Sequence, residues 1–259
     1  MIGAIVGDVV GSVYEFNNIR TKQFPLITKD NFFTDDTIMT VAIMEWLLNP
    51  KKSIIKILQK WGKKYPSSYG GRFGIWIYEN DPQPYYSFGN GAAMRISPVS
   101  YVAKNLKELE ELVIKATTIT HSHPEGIKGA LVTATCVYLA LHNCTKQDIE
   151  DYAVSQYPEI KEMDYNWLKR NYWFDESCQN SVPQAIYCFL ISKDFEDCIR
   201  TTISIGGDCD TTSAISGAIA DAFYGIPQDI EEKIYQKLTP EMNKIINRFN
   251  KMVMKEQGK

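Results

Sequence analysis

The stretch Ile205-Gly206-Gly207-Asp208-Cys209-Asp210-Thr211-Thr212 places two carboxylates two residues apart, after paired glycines and before paired hydroxyls. The small and apolar residues that follow, Ser213 to Tyr224, predict a helix. Residues two apart point about 200° apart on a helix, but the same way in an extended or looped backbone. Asp208 and Asp210 can therefore share a ligand in a loop, which the glycine pair makes feasible. Thr211 or Thr212 could then cap the helix.

This acidic loop is a candidate cation site. Two like charges on one side of a loop need a compensating cation or a shared proton. No Lys or Arg lies between Arg200 and Lys233. Carboxylate and hydroxyl oxygens are hard ligands that suit Mg²⁺, Mn²⁺ or Ca²⁺. The alternative interpretation is a solvated turn with a helix cap, because short acidic motifs often match by chance.

A second acidic helix start occurs early in the chain. Phe33-Thr34-Asp35-Asp36-Thr37 places a hydroxyl and two carboxylates directly before a helical pattern. Acidic residues are also favourable in the first turn of a helix, which is the simpler explanation for this block alone. Two such helix starts in different segments are what a two-metal site with oxygen ligands requires.

Five sequence blocks, in this order, resemble those of the ADP-ribosylglycohydrolases. That family includes the dinitrogenase-reductase-activating glycohydrolases and the ADP-ribosyl-arginine and ADP-ribosyl-serine hydrolases. The blocks are Gly7-Asp8-Val9-Val10-Gly11-Ser12-Val13-Tyr14-Glu15, Phe33-Thr34-Asp35-Asp36-Thr37, Gly89-Asn90-Gly91-Ala92-Ala93-Met94-Arg95, Thr120-His121-Ser122-His123-Pro124 and Gly206-Gly207-Asp208-Cys209-Asp210-Thr211. The resemblance implies a compact, orthogonal all-α fold with a dinuclear Mg²⁺ or Mn²⁺ site. It also implies hydrolysis of the bond between ribose C1″ and a modified side chain or small molecule.

The resemblance also implies roles for individual residues. The expected metal ligands are Thr34, Asp35, Asp36, Asp208, Asp210 and Thr211. The expected substrate-binding residues are Ser87, Phe88, Gly89, Asn90, Gly91 and His121. The candidate catalytic residues are Asp36, Glu15 and Asp35. Asp36 is the first choice as base for an arginine leaving group, and Glu15 for a serine or an oxygen ester.

The region from Pro66 to Gly91 is long and irregular, which is usually a sign of function. Tyr85, Tyr86 and Phe88 could stack on a purine, while the glycines of Gly-Asn-Gly could expose N–H groups to phosphate oxygens. The alternative interpretation is a packed loop whose aromatic side chains only fill space in the protein interior. Arg95 could contact a phosphate or form an internal salt bridge.

The first segment, Met1 to Phe16, carries Gly3, Gly7 and Gly11 at a spacing of four. On a helix these glycines form one strip, which predicts close contact with the backbone of another element. Asp8 and Glu15 are seven apart and would share a face of that helix. We expect Asp8 to order the site from behind and Glu15 to reach it.

Length and composition indicate a single domain, residues 1–259, with 44% hydrophobic and 23% charged residues. A net charge of −3 argues against general nucleic-acid or membrane-surface binding, and no apolar run suits a transmembrane helix. The N-terminal run has no basic start and contains Asp8, so it does not predict a signal peptide. Six cysteines without a Cys-x-x-Cys pair predict reduced thiols in a cytoplasmic protein, expected to be a monomer.

Three function classes remain open at this stage. The first is a hydrolase acting on an ADP-ribosylated protein or small molecule. Mono-ADP-ribosyl-arginine is preferred there, and O-linked ADP-ribose (serine or O-acetyl-ADP-ribose) or ADP-ribosylated nucleic acid is the alternative. The second is another two-metal hydrolase, such as a phosphohydrolase. The third is an inactive crystallin-like relative, which should have lost metal-loop carboxylates; all four are present here.

Overall fold

The computed structural model describes residues 1–66 and 69–256, and this part of the chain is built from α-helices joined by loops and short 3₁₀ turns. The α-helices are α1 (Gly3–Gly11), α2 (Asp35–Leu47), α3 (Ile54–Lys64), α4 (Gly71–Trp76), α5 (Leu106–Thr117), α6 (Pro124–Leu141), α7 (Lys146–Gln156), α8 (Tyr165–Asn171), α9 (Cys178–Ile191), α10 (Phe195–Ser204), α11 (Cys209–Tyr224), α12 (Gln228–Tyr235) and α13 (Pro240–Glu256). The only β pairing in these residues is an isolated bridge between Gly89 and Ser177. The all-α prediction is confirmed.

Helix α11 lies at the centre of the fold, packed against α1, α6, α9 and α10. Its residues from Cys209 to Ala220 are all buried. The glycine strip of α1 faces it: a Cβ at Gly7 would lie 1.9 Å from the carbonyl oxygen of Ser213, and one at Gly3 would lie 2.2 Å from that of Gly217. The predicted close backbone contact is therefore confirmed, and it brings α1 against the helix that carries Asp210.

The first helix is shorter than the sequence suggested. It ends at Gly11, because the N–H of Tyr14 turns back to the carbonyl of Gly11 at 2.7 Å. The side-chain amide of Asn18 donates to the carbonyls of Tyr14 (2.7 Å) and Glu15 (3.0 Å). The expectation that Asp8 and Glu15 share one helix face was wrong, since Glu15 is presented by a turn.

Two further local predictions need correction. The loop from Pro66 to Gly91 contains helix α4, whose Phe73 and Trp76 are buried in the core; Ser67 and Ser68 lie outside the described residues. Helix α11 begins at Cys209, with Asp208 at its N-cap position, so Thr211 and Thr212 do not cap it. Among the described residues, no helix is both long and apolar enough to cross a membrane.

Replacing Gly7 with alanine is expected to lower the free energy of unfolding by about 3 kcal/mol or more. The added methyl group would meet the backbone of Ser213 and Ala214, which cannot rotate away as a side chain would. Gly74→Ala is the matched control, because its nearest neighbour would be 4.0 Å away. Chemical denaturation of both variants tests this, and equal stabilities would contradict the close packing of α1 on α11.

Candidate active site

The two acidic helix starts converge on one cavity of about 250 Å³. Asp35 and Asp36 come from the start of α2, and Asp208 and Asp210 from the start of α11. Glu15 reaches the same cavity from the turn after α1. Segments more than 170 residues apart in the chain thus place their carboxylates together, as a site with shared cations requires.

The glycine pair before Asp208 adopts the conformation that the sequence predicted. Gly206 and Gly207 have φ of 73° and 78°, in the left-handed region that favours glycine. Asp208 is itself non-helical (φ −75°, ψ 80°), so its side chain can converge with that of Asp210 in the first turn of α11. A Cβ on Gly207 would lie 2.3 Å from the ring of Tyr172, so a side chain cannot be accommodated there.

Asn18 holds this loop in place. Its side-chain oxygen accepts from the N–H of Gly207 at 2.8 Å, and its amide nitrogen donates to the carbonyl of Gly207 at 2.9 Å. The Arg20 guanidinium donates to the carbonyls of Ile205 and Tyr172. The roles of Asn18, Arg20 and Tyr172 could not be predicted from the sequence, because these contacts join distant segments and no local motif marks them.

The carboxylates form two triads that share Asp210. In each triad one oxygen from every residue lies within 4.8 Å of the others, and the members are Asp8, Asp36 and Asp210 in one, and Glu15, Asp208 and Asp210 in the other. Asp35, an expected ligand, lines the cavity but belongs to neither triad.

The two threonines of the expected ligand set contact carboxylates. The hydroxyl of Thr34 donates to Asp8 at 2.8 Å, and that of Thr211 donates to Asp36 at 3.1 Å. Asp8 also accepts from the backbone N–H groups of Thr34 (3.0 Å) and Thr37 (3.0 Å). Asp8 thus fixes the start of α2 from behind, which agrees with the expectation for it.

The chemistry of the cluster fits divalent cations. Asp36 Oδ1 is buried and has no hydrogen-bond partner among the described residues. The ion pairs of the described chain include none of the triad carboxylates. Buried carboxylates without a cationic side chain need a metal or protons. An all-oxygen donor set suits hard ions such as Mg²⁺ or Mn²⁺.

Burial raises the pKa of every carboxyl in the cluster, and repulsion between carboxylates adds to it for all of them except Asp8. Burial is the main cause throughout; for Glu15, the charge of Asp210 adds to it and brings the pKa to about 8. Burial also raises the pKa of Asp35 to about 8, and that of Asp208 to about 6. The pKa values of Asp36 and Asp210 lie well above the usual range for the same reasons. Without metal, the cluster therefore retains protons near neutral pH.

We expect the metal-free protein to be less stable at pH 8 than at pH 5.5. Unfolded carboxyls release their protons near pH 4, whereas the folded cluster binds them up to about pH 8. The folded state thus binds more protons over this range, and the free energy of unfolding falls as pH rises. A decrease above about 1 kcal/mol is expected in chelator. Adding Mg²⁺ or Mn²⁺ at pH 8 should restore stability. If the free energy of unfolding in chelator did not change with pH, the carboxylates could not be buried without a compensating charge.

Most of the segment expected to bind substrate also lines the cavity, directly beside the carboxylate of Asp208. Ser87, Gly89, Asn90, Gly91 and His121 all line the cavity. Phe88 does not: its side chain is 50% exposed, and its ring packs edge-on against His123 at 5.4 Å. The aromatic side chain that faces the cavity from this segment is Tyr85.

The Gly-Asn-Gly block does more to order the site than to offer free amides. The N–H of Gly89 donates to Ser87 Oγ (3.1 Å), and that of Asn90 donates to the carbonyl of Glu176 (2.7 Å). The Asn90 side chain donates to Asp208 Oδ2 at 2.7 Å. A Cβ at Gly91 would lie 3.3 Å from His121 Nε2. The suggestion that the glycines expose their N–H groups to phosphate is therefore wrong for Gly89.

His121 and Arg95 also line the cavity and supply polar groups to it. His121 is buried, which lowers its pKa well below the usual range, and its Nδ1 pairs with Thr120 Oγ1 at 2.7 Å. Arg95 is also buried and donates to Thr120 Oγ1 at 2.9 Å. No ion pair of Arg95 occurs within the described chain, so the salt bridge that the sequence left open is not observed. Arg95 is nevertheless among the residues that line the cavity.

Comparison with known proteins agrees with these features. The sequence model of ADP-ribosylglycohydrolases matches residues 1–258. The chain belongs to the ADP-ribosylglycohydrolase family. A mouse protein named ADP-ribosylhydrolase ARH3 is 25% identical over 308 aligned positions, covering 88% of this chain and 83% of its own. The ADP-ribosyl-dinitrogen reductase glycohydrolase of Rhodospirillum rubrum is 27% identical over 274 positions, covering 95% of this chain and 91% of its own.

A solved structure described as an ADP-ribosylglycohydrolase-related protein complex has the same fold. Its TM-score is 0.73 at 22% identity, and the alignment covers 98% of this chain and 96% of that one. The ADP-ribosylglycohydrolases are metal-dependent hydrolases that remove ADP-ribose from acceptors, and the present chain is an enzyme of this class. The cluster of acidic residues described above is consistent with that metal dependence.

Proposed function

We propose that this ADP-ribosylglycohydrolase uses two Mg²⁺ or Mn²⁺ ions to release ADP-ribose from mono-ADP-ribosylated arginine on a protein. The pair of carboxylate triads joined by Asp210 carries the two-cation hydrolysis, and the preference for arginine as acceptor comes from the family resemblance of the sequence. One residue common to two oxygen clusters suits a bridging ligand between two cations. The proposed ligands are Thr34, Asp35, Asp36, Asp208, Asp210 and Thr211, and Asp8 holds the start of α2 behind them through its hydrogen bonds to Thr34 and Thr37.

The nucleotide part of the substrate is assigned to the part of the cavity lined by Tyr85, Arg72, Arg95 and His121. Tyr85 offers an aromatic face for the adenine ring, and every base has a face that can stack. Arg72 and Arg95 line the same cavity and carry the positive charge that a diphosphate needs. His121 is kept neutral by burial, so it can exchange hydrogen bonds with ribose or phosphate oxygens without a charge of its own.

The cations, when bound, would neutralise the cluster, hold ribose hydroxyls and orient the attacking water. Cleavage at C1″ has oxocarbenium character, so the remaining negative charge near the ribose stabilises the transition state. A carboxylate must also accept the proton of the water. Glu15 is half-buried at the edge of the cavity, whereas Asp36 is 3% exposed and accepts from Thr211. This contrast supports Glu15 as the proton acceptor and Asp36 as a residue that holds a cation.

A second candidate function is hydrolysis of O-linked ADP-ribose. It is favoured by the placement of Glu15, which reaches the cavity from a turn and has a carboxylate oxygen within 4.8 Å of those of Asp208 and Asp210. By family resemblance, the serine-directed members place a glutamate at this position. The two functions share one site and differ in the leaving group, a guanidine in the first and an alcohol or acid in the second.

Hydrolysis of a matched substrate set would decide between them. Arginine-linked, serine-linked, O-acetyl-linked and DNA-linked ADP-ribose are incubated with the enzyme and Mg²⁺ or Mn²⁺, and free ADP-ribose is quantified. The proposal expects release from the arginine-linked substrate at the highest kcat/KM. Release from the O-linked substrates alone would replace it by the second function.

Replacing Tyr85 with alanine is expected to weaken binding of free ADP-ribose more than Phe88→Ala does. Stacking on a base is worth about 1–3 kcal/mol, which corresponds to a roughly 5- to 150-fold increase in Kd. Phe88 is the matched control, because it comes from the same segment but faces His123. Calorimetry on both variants tests this, and a larger effect at Phe88 would reverse the assignment.

A further inference from the structure

An exposed surface of aromatic and basic side chains lies beside the catalytic cavity. Trp173 is 74% exposed, Phe16 73% and Phe174 43%, and the rings of Phe16 and Phe174 stack at 5.8 Å. Lys169 and Arg170 lie on the same side and, with Trp173, line a cleft. We call these five residues the aromatic-basic face. Contiguous exposed aromatics are unusual on a surface that touches only water.

This face is continuous with the edge of the cavity. Phe16 directly follows Glu15, and Phe174 lies two residues before Glu176. Both glutamates line the cavity. The cleft also includes Asn18 and Arg20, which hold the loop carrying Asp208. The face therefore begins at the edge of the cavity beside Glu15 and Glu176.

The cations of the face have no ion-pair partners within the described chain. Neither Lys169 nor Arg170 takes part in a salt bridge there. The nearest acidic residues in sequence are engaged locally: Asp164 accepts from the N–H of Trp167 at 2.7 Å, and Asp175 accepts from that of Ser177 at 2.7 Å. Two cations beside exposed aromatics thus offer charge complementarity to an acidic partner.

We propose that the aromatic-basic face binds the polypeptide of the ADP-ribosylated acceptor, and that it selects acceptors with acidic residues beside the modified side chain. This inference rests on the proposed function. With the nucleotide at Tyr85 and the reacting ribose at the triads, the acceptor chain leaves the cavity past Glu15 and Glu176. It must then cross the face. Trp and Arg are enriched among residues that dominate protein interfaces.

The chemistry of the face favours an acidic polypeptide over a nucleic acid. Two cations suit a short acidic segment better than the long phosphate backbone of a nucleic acid. The net charge of −3 also disfavours nucleic-acid binding.

The test uses three substrates with the same linkage: the free ADP-ribosyl amino acid, a modified peptide with Asp and Glu flanks, and one with Lys flanks. We expect wild type to prefer the acidic peptide. The charge reversal Lys169→Glu with Arg170→Glu should lower kcat/KM for that peptide about 10-fold and reverse the preference. Trp173→Ala should reduce kcat/KM for both peptides. Each variant should hydrolyse the free amino acid at the wild-type rate, because the face lies outside the cavity.

Lys51→Glu with Lys52→Glu is the matched control. These exposed lysines follow the far end of α2, roughly 20 Å from Asp35 along the helix. The proposal is overturned if wild type shows no flank preference, if the face variants slow all three substrates equally, or if a single-stranded oligonucleotide competes better than the acidic peptide. If the wild-type enzyme hydrolysed none of the three substrates, the proposed function would be refuted, and the assignment of the face to the acceptor polypeptide with it.

Discussion

Asp210→Asn is expected to abolish metal-dependent turnover and to leave the fold intact, which is the largest effect that the site predicts. Asp210 is the residue common to both triads, so its loss removes a ligand from each. Loss of a residue that only supports a metal ligand typically costs about 10- to 100-fold, and a shared ligand should cost more. A residual rate below about 1% of wild type is expected at saturating Mg²⁺ or Mn²⁺.

The same substitution should stabilise the metal-free protein at neutral pH. Burial and the charge of Asp208 raise the pKa of Asp210 well above its usual range, so folding at neutral pH has to take up a proton there, a cost that a neutral amide of similar size does not carry. Activity and stability therefore move in opposite directions. Asp229→Asn is the control, since Asp229 is exposed on α12 and pairs only with Lys233. Circular dichroism, thermal unfolding and ADP-ribose release together test this; normal turnover would remove Asp210 from the ligand set.

Glu15→Gln is expected to lower the rate by about 10²–10⁴-fold, the usual contribution of a general base. Affinity for metal and for ADP-ribose should change little, because Asp208 and Asp210 remain. Glu15 has to lose its proton to act, so the wild-type rate should rise with pH through its pKa, and the variant should lack that rise. Burial and the charge of Asp210 raise this pKa to about 8 in the metal-free state, and bound cations would lower it.

Glu176→Gln provides the matched control for Glu15. Glu176 lines the same edge of the cavity but belongs to neither triad. Rate and metal affinity are measured for both variants on arginine- and serine-linked substrates. A Glu15→Gln enzyme at the normal rate on every substrate would exclude it as the base. Loss of metal affinity in that variant would make Glu15 a ligand instead.

Features that depend on neighbouring residues were readable from the sequence. The start of α2 at Asp35, the loop at Gly206 and Gly207, and the glycine strip of α1 all follow from local patterns of charge, flexibility and spacing. The resemblance of the five sequence blocks to the family then indicated that these separate segments form one site. The single-domain and monomer expectations, and the roles of individual site residues, remain predictions.

Features that depend on distant contacts were not readable. Asn18 and Gly207 are joined by hydrogen bonds across 189 positions, and no sequence pattern near Asn18 predicts these bonds. Among the aromatics, the sequence could not tell which ring faces the cavity. Tyr86 adopts a left-handed conformation (φ 54°), and on its two sides Tyr85 faces inward while Phe88 packs on His123. The length of α1 was overestimated because the chain turns at Gly11, where the N–H of Tyr14 bonds the carbonyl of Gly11.

The most direct test of this account is the release of ADP-ribose by metal-stripped enzyme before and after Mg²⁺ or Mn²⁺ is added back. Wild-type protein and Asp210→Asn are treated with chelator, dialysed and incubated with arginine-linked ADP-ribosyl substrate. We predict no release without metal, full recovery of wild type on metal addition, and no recovery of Asp210→Asn. Undiminished release by the stripped wild type, or recovery of the variant to the wild-type rate, would contradict a metal-dependent hydrolase centred on Asp210.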